Sequence, residues 1–230
     1  MIGIIGAMQE EVNEIIKLMD SYETIELHNS LFYKGTISNK EVTVCLSGIG
    51  KVRSSISTGM LINDFNVDKI INIGTAGGLL EKQNELDLII ATKLSYHDFE
   101  IDMPGWTKRK GFTGHEFIFE TEPTYVKIME NIAKESNDTF WIGPMVSGDM
   151  FVNKIDEVHR ILREFPEALA SEMESASIAH TCSVYNVPFI IIRSLSDITV
   201  KEGNGLTFEE YLEKASKRSA IYCKKFIELI

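Results

Sequence analysis

Short runs of apolar, β-branched residues alternate along the chain with longer stretches whose apolar residues recur every three or four positions. The runs at 2–5, 31–37, 42–46, 69–73, 88–92, 117–120, 141–146 and 189–193 predict strands. In the last of these, Phe189 to Ile192 are apolar without a break, the signature of a strand covered on both faces. Met8, Val12, Ile15, Ile16 and Met19 fall at helical spacing, so a helix directly follows the first strand. Further helices are predicted over 51–65, after Pro123, over 154–164, over 173–185 and at the C-terminal end. Thr207 and Glu210 stand at capping-box spacing before that last helix, and Phe208, Tyr211, Leu212, Ala215, Tyr222 and Phe226 form its apolar stripe. No linker, repeat or low-complexity tract interrupts the pattern. It implies an α/β fold, a single domain over 1–230 with a mixed, twisted central β-sheet flanked by helices.

Composition narrows the function. Lys and Arg number 23 against 34 Asp and Glu, a net charge of −11. Such a surface repels phosphate backbones and anionic headgroups, which argues against nucleic acid or a membrane as the main partner. Cys45, Cys182 and Cys223 are too scattered for a disulfide framework or a zinc site, and the first two lie in apolar segments as buried, inert thiols. The N-terminal apolar run lacks a basic flank and stops by Gln9, and no stretch reaches the roughly 20 apolar residues of a membrane span. A cytoplasmic protein is expected.

Several motifs are absent. Gly3-Ile4-Ile5-Gly6 is not a dinucleotide fingerprint, Gly48-Ile49-Gly50-Lys51 lacks the rest of a phosphate loop, and there is no G-x-S-x-G elbow. No histidine pair has metal-binding spacing; His97-Asp98 with Glu100 and Asp102 reads as an acidic, solvated loop. What remains is a set of small residues and carboxylates at strand ends, where α/β sheets gather their ligands. Gly74 to Gly78, Ser47 to Gly50, Ser147-Gly148-Asp149 and Ser194 to Asp197 read as turns of this kind. Gly6-Ala7-Met8 brings Glu10 and Glu11 to the same rim, Glu10 serving the helix dipole. Of Glu172 and Glu174, at least one must face a polar pocket, because acids seldom enter a core unpaired. For Asp197 a turn-forming role and a functional one stand open.

GIIGAMQEEV, SGIGKV, IGTAGG, SGDMFVN, SEMESASIAH and VPFIIIRSLSD, in that order and spacing, resemble the bacterial 5′-methylthioadenosine/S-adenosylhomocysteine nucleosidases of the purine nucleoside phosphorylase superfamily. The resemblance spans nearly the whole chain. It implies hydrolysis of the N-glycosidic bond of an adenine nucleoside carrying a 5′-thioether, with no metal or organic cofactor, in a homodimer. By the same correspondence Glu11 is the base on the attacking water and Asp197 the acid towards N7 of the purine. Glu174 would hold the ribose hydroxyls, Thr75 and Arg193 the water, and the Val152 backbone the adenine edge. Phe151 and Met173 would wall base and sugar, and Met8, Ile49, Gly77, Ser196 and Phe208 would complete the pocket.

The residue types suit that chemistry. Bond cleavage generates an oxocarbenium-like sugar and an electron-rich purine. An acid at the purine edge and a base beside the anomeric carbon are then needed on opposite sides of the bond. The chain departs from the family after Tyr96-His97-Asp98, where Phe99 to Trp106 replaces a segment containing Phe-Gly-Tyr. Met103 or Trp106 could fill the place of that Phe, and the apolar Met103-Pro104-Gly105-Trp106 is a candidate dimer contact. Two alternatives stand beside the hydrolase: a purine nucleoside phosphorylase of the same superfamily, and an inactive nucleoside-binding or storage protein. Against the first, phosphorylases of the hexameric type carry phosphate-binding arginines just before the glycine turn and near the N-terminus, where this chain has Asn72 and the turn Gln9-Glu10-Glu11.

Overall fold

The computed structural model describes residues 1–100, 117–201 and 208–230, the side chains of 208–210 excepted. In chain order its elements are β1 (Ile2–Gly6), α1 (Gln9–Ile16), β2 (Ser21–Leu27), β3 (Ser30–Ile37), β4 (Lys40–Leu46), α2 (Lys51–Asp64), β5 (Lys69–Gly78) and β6 (Leu88–Tyr96). There follow β7 (Ile118–Glu120), α3 (Pro123–Glu135), β8 (Phe140–Ser147), α4 (Ile155–Glu164), β9 (Ala170–Glu172), α5 (Ser175–Tyr185), β10 (Phe189–Ile198) and α6 (Phe208–Leu229). All the expected strands and helices form. The Thr207–Glu210 cap and the Met103–Trp106 segment lie outside the described residues.

The sheet is mixed, as the pattern implied, and it also closes on itself. From one edge it runs β2-β3-β4-β1-β5, and β10, β6, β8 and β9 then complete a ring back to β5. β5 is the hinge of this arrangement. One of its edges pairs in parallel with β10 from Ile70 to Gly78. The other is shared: β1 takes Lys69 to Asn72, and β9 takes only Gly77 and Gly78. Between them, over residues 73–76, no strand among the described residues pairs with this edge. The gap positions the site.

Period-two alternation sends successive side chains to opposite faces. Ile5, Ile70 and Ile191 pack into one apolar layer with residues of α2 and α5. Their neighbours Ile4, Ile71 and Ile190 pack into the other, with Met129 of α3 and Phe226 of α6. A fully buried aromatic such as Phe226 contributes about 3–5 kcal/mol by the usual cost of its truncation. All three cysteines are free and buried. No described helix is long and apolar enough to cross a membrane.

Two strands have no counterpart in the expected pattern. β2 is an exposed edge strand with little apolar alternation, held by its antiparallel pairing with β3. Its hairpin turn is His28-Asn29, both at positive φ (49° and 57°), a turn geometry that suits the twist of paired strands. β9 has only three residues. Two expected turns are corrected: Gly74 to Gly78 and Ser194 to Asp197 continue β5 and β10, because each supplies the ladder the other needs. The register shifts between Leu195 and Asp197, a bulge of the kind that re-aims side chains beside active sites.

Candidate active site

The carboxylate of Glu11 fills the gap in β5's edge. α1 has Met8 at its N-cap and so lacks a polar capping side chain; Glu11, three residues on, turns back instead. Its Oε2 accepts the amides of Ala7 at 2.8 Å and Met8 at 3.1 Å, while Oε1 accepts the amide of Thr75 at 3.1 Å. Glu11 is 1% exposed. Burial pushes its pKa above the ordinary carboxylate value, against the pull of Arg193 and of the three amides. Glu10 faces solvent on the same helical turn.

Arg193, on β10, is buried beneath this carboxylate. Its Nη1 donates to the Ile73 carbonyl at 3.0 Å, and its Nη2 reaches Asn72 Oδ1 at 2.7 Å, Ser175 Oγ at 2.9 Å and Glu172 Oε2 at 2.7 Å. Its Nε has no hydrogen-bond partner among the described residues. Gly74 makes room for the guanidinium: it adopts φ 154°, and a Cβ there would overlap Nη1 and stand 2.8 Å from Glu11 Oε1. Glu172 is the counter-charge. Besides Arg193 it accepts the amides of Glu174 and Ser175 and the hydroxyl of Ser147. Asn72 is fixed in turn, donating to the carbonyls of Ile5 at 2.9 Å and Ile73 at 3.2 Å. Glu172 and Asn72 are thus tied to the site through Arg193, a partnership that an acid beside a helix start and an Asn in a strand do not disclose in sequence.

Glu174, the N-cap residue of α5, accepts the amide of Gly50 at 2.9 Å and lies 3.9 Å from Arg193 Nη2. Gly50 takes φ 98° to aim that amide. Burial, with Glu172 adding like charge, raises the pKa of Glu174. Both acids of the Glu172-Met173-Glu174 run therefore face polar surroundings, as expected of at least one.

Asp197 follows the bulge in β10. It accepts the hydroxyls of Ser196 at 2.7 Å and Thr199 at 3.3 Å. Burial raises its pKa, with Glu85 adding to the rise. Its carboxylate lies 3.3 Å from where a Cβ on its ladder partner Gly77 would stand, so the glycine keeps it uncrowded on that side. Thr199 also meets the Val152 carbonyl at 3.2 Å. A hydroxyl has one proton to give, so a neutral Asp197 can donate to Thr199 while Thr199 donates to Val152.

These groups open into one cleft of about 210 Å³. Met8, Ile49, Thr75, Gly77, Phe151, Val152, Met173, Glu174, Arg193 and Ser196 all line it together with Glu11, joined by Ala7, Ala76, Met150, Ser171 and Glu172. Asp197 stands behind Gly77, and the side chain of Phe208 lies outside the described residues. One expectation is overturned. His97 and Asp98 are no solvated loop: His97 is buried with Nδ1 3.3 Å from Arg160 Nη2, and Asp98 accepts Lys51 Nζ at 2.6 Å and the Asp149 amide at 2.8 Å. Burial lowers the pKa of the imidazole, against the pull of Asp98. The pair clasps the 148–150 loop, whose continuation forms the Phe151–Val152 wall.

Comparison with known proteins agrees with this geometry. Residues 1–228 match the model of the phosphorylase superfamily. A Staphylococcus carnosus 5′-methylthioadenosine/S-adenosylhomocysteine nucleosidase is 38% identical over 96% of each chain. The Neisseria meningitidis nucleosidase of the same name, solved with methylthio-immucillin-A, superposes with a TM-score of 0.92 at 31% identity, over 100% of this chain and 99% of that one. The futalosine hydrolase of Helicobacter pylori superposes with a TM-score of 0.90 at 34% identity, over 100% and 97%.

Glu172 should matter first for stability. Glu172→Gln strands a buried guanidinium, which costs about 3–5 kcal/mol, and the melting temperature should fall by roughly 10 °C. Calorimetry that finds the variant as stable as the parent would refute a structural ion pair here.

Proposed function

The chain belongs to the phosphorylase superfamily and, within it, to the 5′-methylthioadenosine/S-adenosylhomocysteine nucleosidases, and we propose that its cleft hydrolyses those two nucleosides to adenine and a 5-thioribose through Glu11 and Asp197. The observation that carries this reading is a pair of carboxylates, Glu11 buried and Asp197 half-buried, with different surroundings. Glu11 sits among three amides and a guanidinium, which favour its charged form. Asp197 has hydroxyls and a second acid, Glu85, near it and no cation among its influences within the described residues. One suits a base, the other an acid.

In the proposed reaction the adenine lies along Phe151 and Val152, with N7 toward Asp197. Proton donation there drains charge from the leaving purine as the glycosidic bond lengthens. The ribose hydroxyls donate to Glu174, and water held by Glu11, Thr75 and Arg193 attacks the anomeric carbon while Glu11 takes its proton. Glu11, Glu172 and Glu174 outnumber the guanidinium of Arg193, so the pocket around the sugar favours the positive charge it develops. The same excess disfavours phosphate as a co-substrate. At this point hydrolase and phosphorylase part.

The neighbouring surface supports a homodimer. Ile49, Val52 and Ile56, 57%, 68% and 56% exposed, make an apolar stripe from the cleft mouth along α2. Val184 and Tyr185 add to it from α5, which packs on α2. Sedimentation at micromolar concentration should give about twice the 26.0 kDa chain mass; a single-chain mass would rule the dimer out.

Asp197→Asn should fold and bind nucleoside but lose a factor of about 100 or more in kcat, because an amide has no acidic proton to give. Near-parental turnover would sink the assignment. The parent's loss of rate with rising pH should also follow deprotonation of this group.

Glu11→Gln separates water from phosphate. Glutamine can hold a water but cannot accept its proton, so hydrolysis should fall steeply while nucleoside binding persists. Phosphate should leave the parent's adenine release unchanged. A parent that releases adenine only with phosphate would make the protein a phosphorylase instead, and one that binds but cleaves under neither condition would make it a binding protein.

A further inference from the structure

A second hollow, of about 460 Å³, adjoins the cleft and shares Ala7, Met8 and Ile49 with it. Beside Leu31 and Leu46 its wall carries polar and charged groups: Gln9 and Glu10 from α1, Asn29 from the β2–β3 turn, and Arg53 from α2. Arg53 is exposed and has no hydrogen-bond or ion-pair partner among the described residues. Its guanidinium lies along Gly48, where a Cβ would stand 3.1 Å from its Nε, so the missing side chain leaves it room to lie flat there. Glu10, in the same lining, offers the opposite charge.

The position of this hollow is set by the direction of the substrate. Resting on the proposed reaction, Asp197, Gly77 and Val152 mark the base end of the cleft, and Glu11 and Glu174 the sugar. Met8 and Ile49, which the two hollows share, then lie at the far end, where a group on C5′ must leave the cleft. A methylthio group ends there. The longer thioether of S-adenosylhomocysteine continues through two methylenes to an α-carbon with one carboxylate and one ammonium. We infer that the hollow bounded by Arg53 and Glu10 is the subsite for this zwitterionic amino-acid end, with Arg53 on the carboxylate and Glu10 on the ammonium. On a chain of net charge −11, a ligand carboxylate gains little without a local cation, and Arg53 supplies it in the planar fork that carboxylates fit best.

The test compares two substrates on one enzyme. For Arg53→Ala, kcat/KM toward S-adenosylhomocysteine should fall about five- to tenfold, the usual effect of losing a partly exposed charge-assisted contact. The value for methylthioadenosine, which has nothing to place in the hollow, should stay within about twofold of the parent's. Arg53→Lys should restore part of the loss. Added salt should weaken the parent's action on S-adenosylhomocysteine and flatten in Arg53→Ala. Equal loss on both substrates, or no loss on either, would overturn the subsite, as would a parent that cleaves methylthioadenosine but not S-adenosylhomocysteine. A parent that cleaves neither would instead refute the hydrolase reading itself.

Discussion

A buried guanidinium organises this protein. Arg193 lies inside the closed part of the sheet at 1% exposure, and a charge so placed is tolerable only if nearly every direction around it is answered. The answers come from distant parts of the chain: Ile73 and Asn72 on β5, Glu172 on β9 and Ser175 at the start of α5. Each is held in turn, Asn72 by backbone carbonyls and Glu172 by amides and the hydroxyl of Ser147. The charge thus ties β5, β9, β10 and α5 into one geometry.

The interrupted edge of β5 meets the second need. A strand edge left unpaired inside a fold exposes amides that must be satisfied. β1 stops too early to pair over residues 73–76 and β9 begins too late. Glu11 caps the helix that starts where β1 ends and takes the Thr75 amide as well, so its carboxylate stands where two structural demands coincide. A residue doing that work is held rigidly, as a catalytic base must be. Structural and chemical roles of Glu11 are therefore not rivals. The helix-terminal reading of such an acid describes one oxygen, and the cleft uses the other.

This explains what the sequence disclosed and what it hid. Buried strands and amphipathic helices leave periodic traces, so β10 and α6 were legible from apolar spacing alone. β2, whose exposed residues obey no strong pattern, was not. The stretches Gly74 to Gly78 and Ser194 to Asp197 looked like turns because small residues usually mark them; pairing across more than a hundred positions makes them strand instead. Glu11, Glu174 and Asp197 could be placed at a rim, but their roles came from the resemblance in ordered motifs. For Glu172 and Asn72 the hidden part was the partnership, because Arg193 is remote in sequence. His97 and Asp98 misled for the same reason. The charge of Asp98 is answered by Lys51 and by the amide of Asp149, and His97 is packed against Arg160.

The electrostatics of the cleft follow from that placement. Burial raises the pKa of Glu11, Glu174 and Asp197 alike, yet the sources of opposition differ. For Glu11 a cation and three amides resist the rise; for Asp197 only two hydroxyls do, and a second acid adds to it. Cleavage of a glycosidic bond by water requires an anionic base and a neutral acid in one pocket, and the two surroundings suit those roles. The excess of carboxylates over guanidinium, costly in the empty pocket, is partly relieved when the sugar becomes cationic. The strain of gathering like charges in a buried place is thus smallest at the transition state, and that difference is what lowers the barrier.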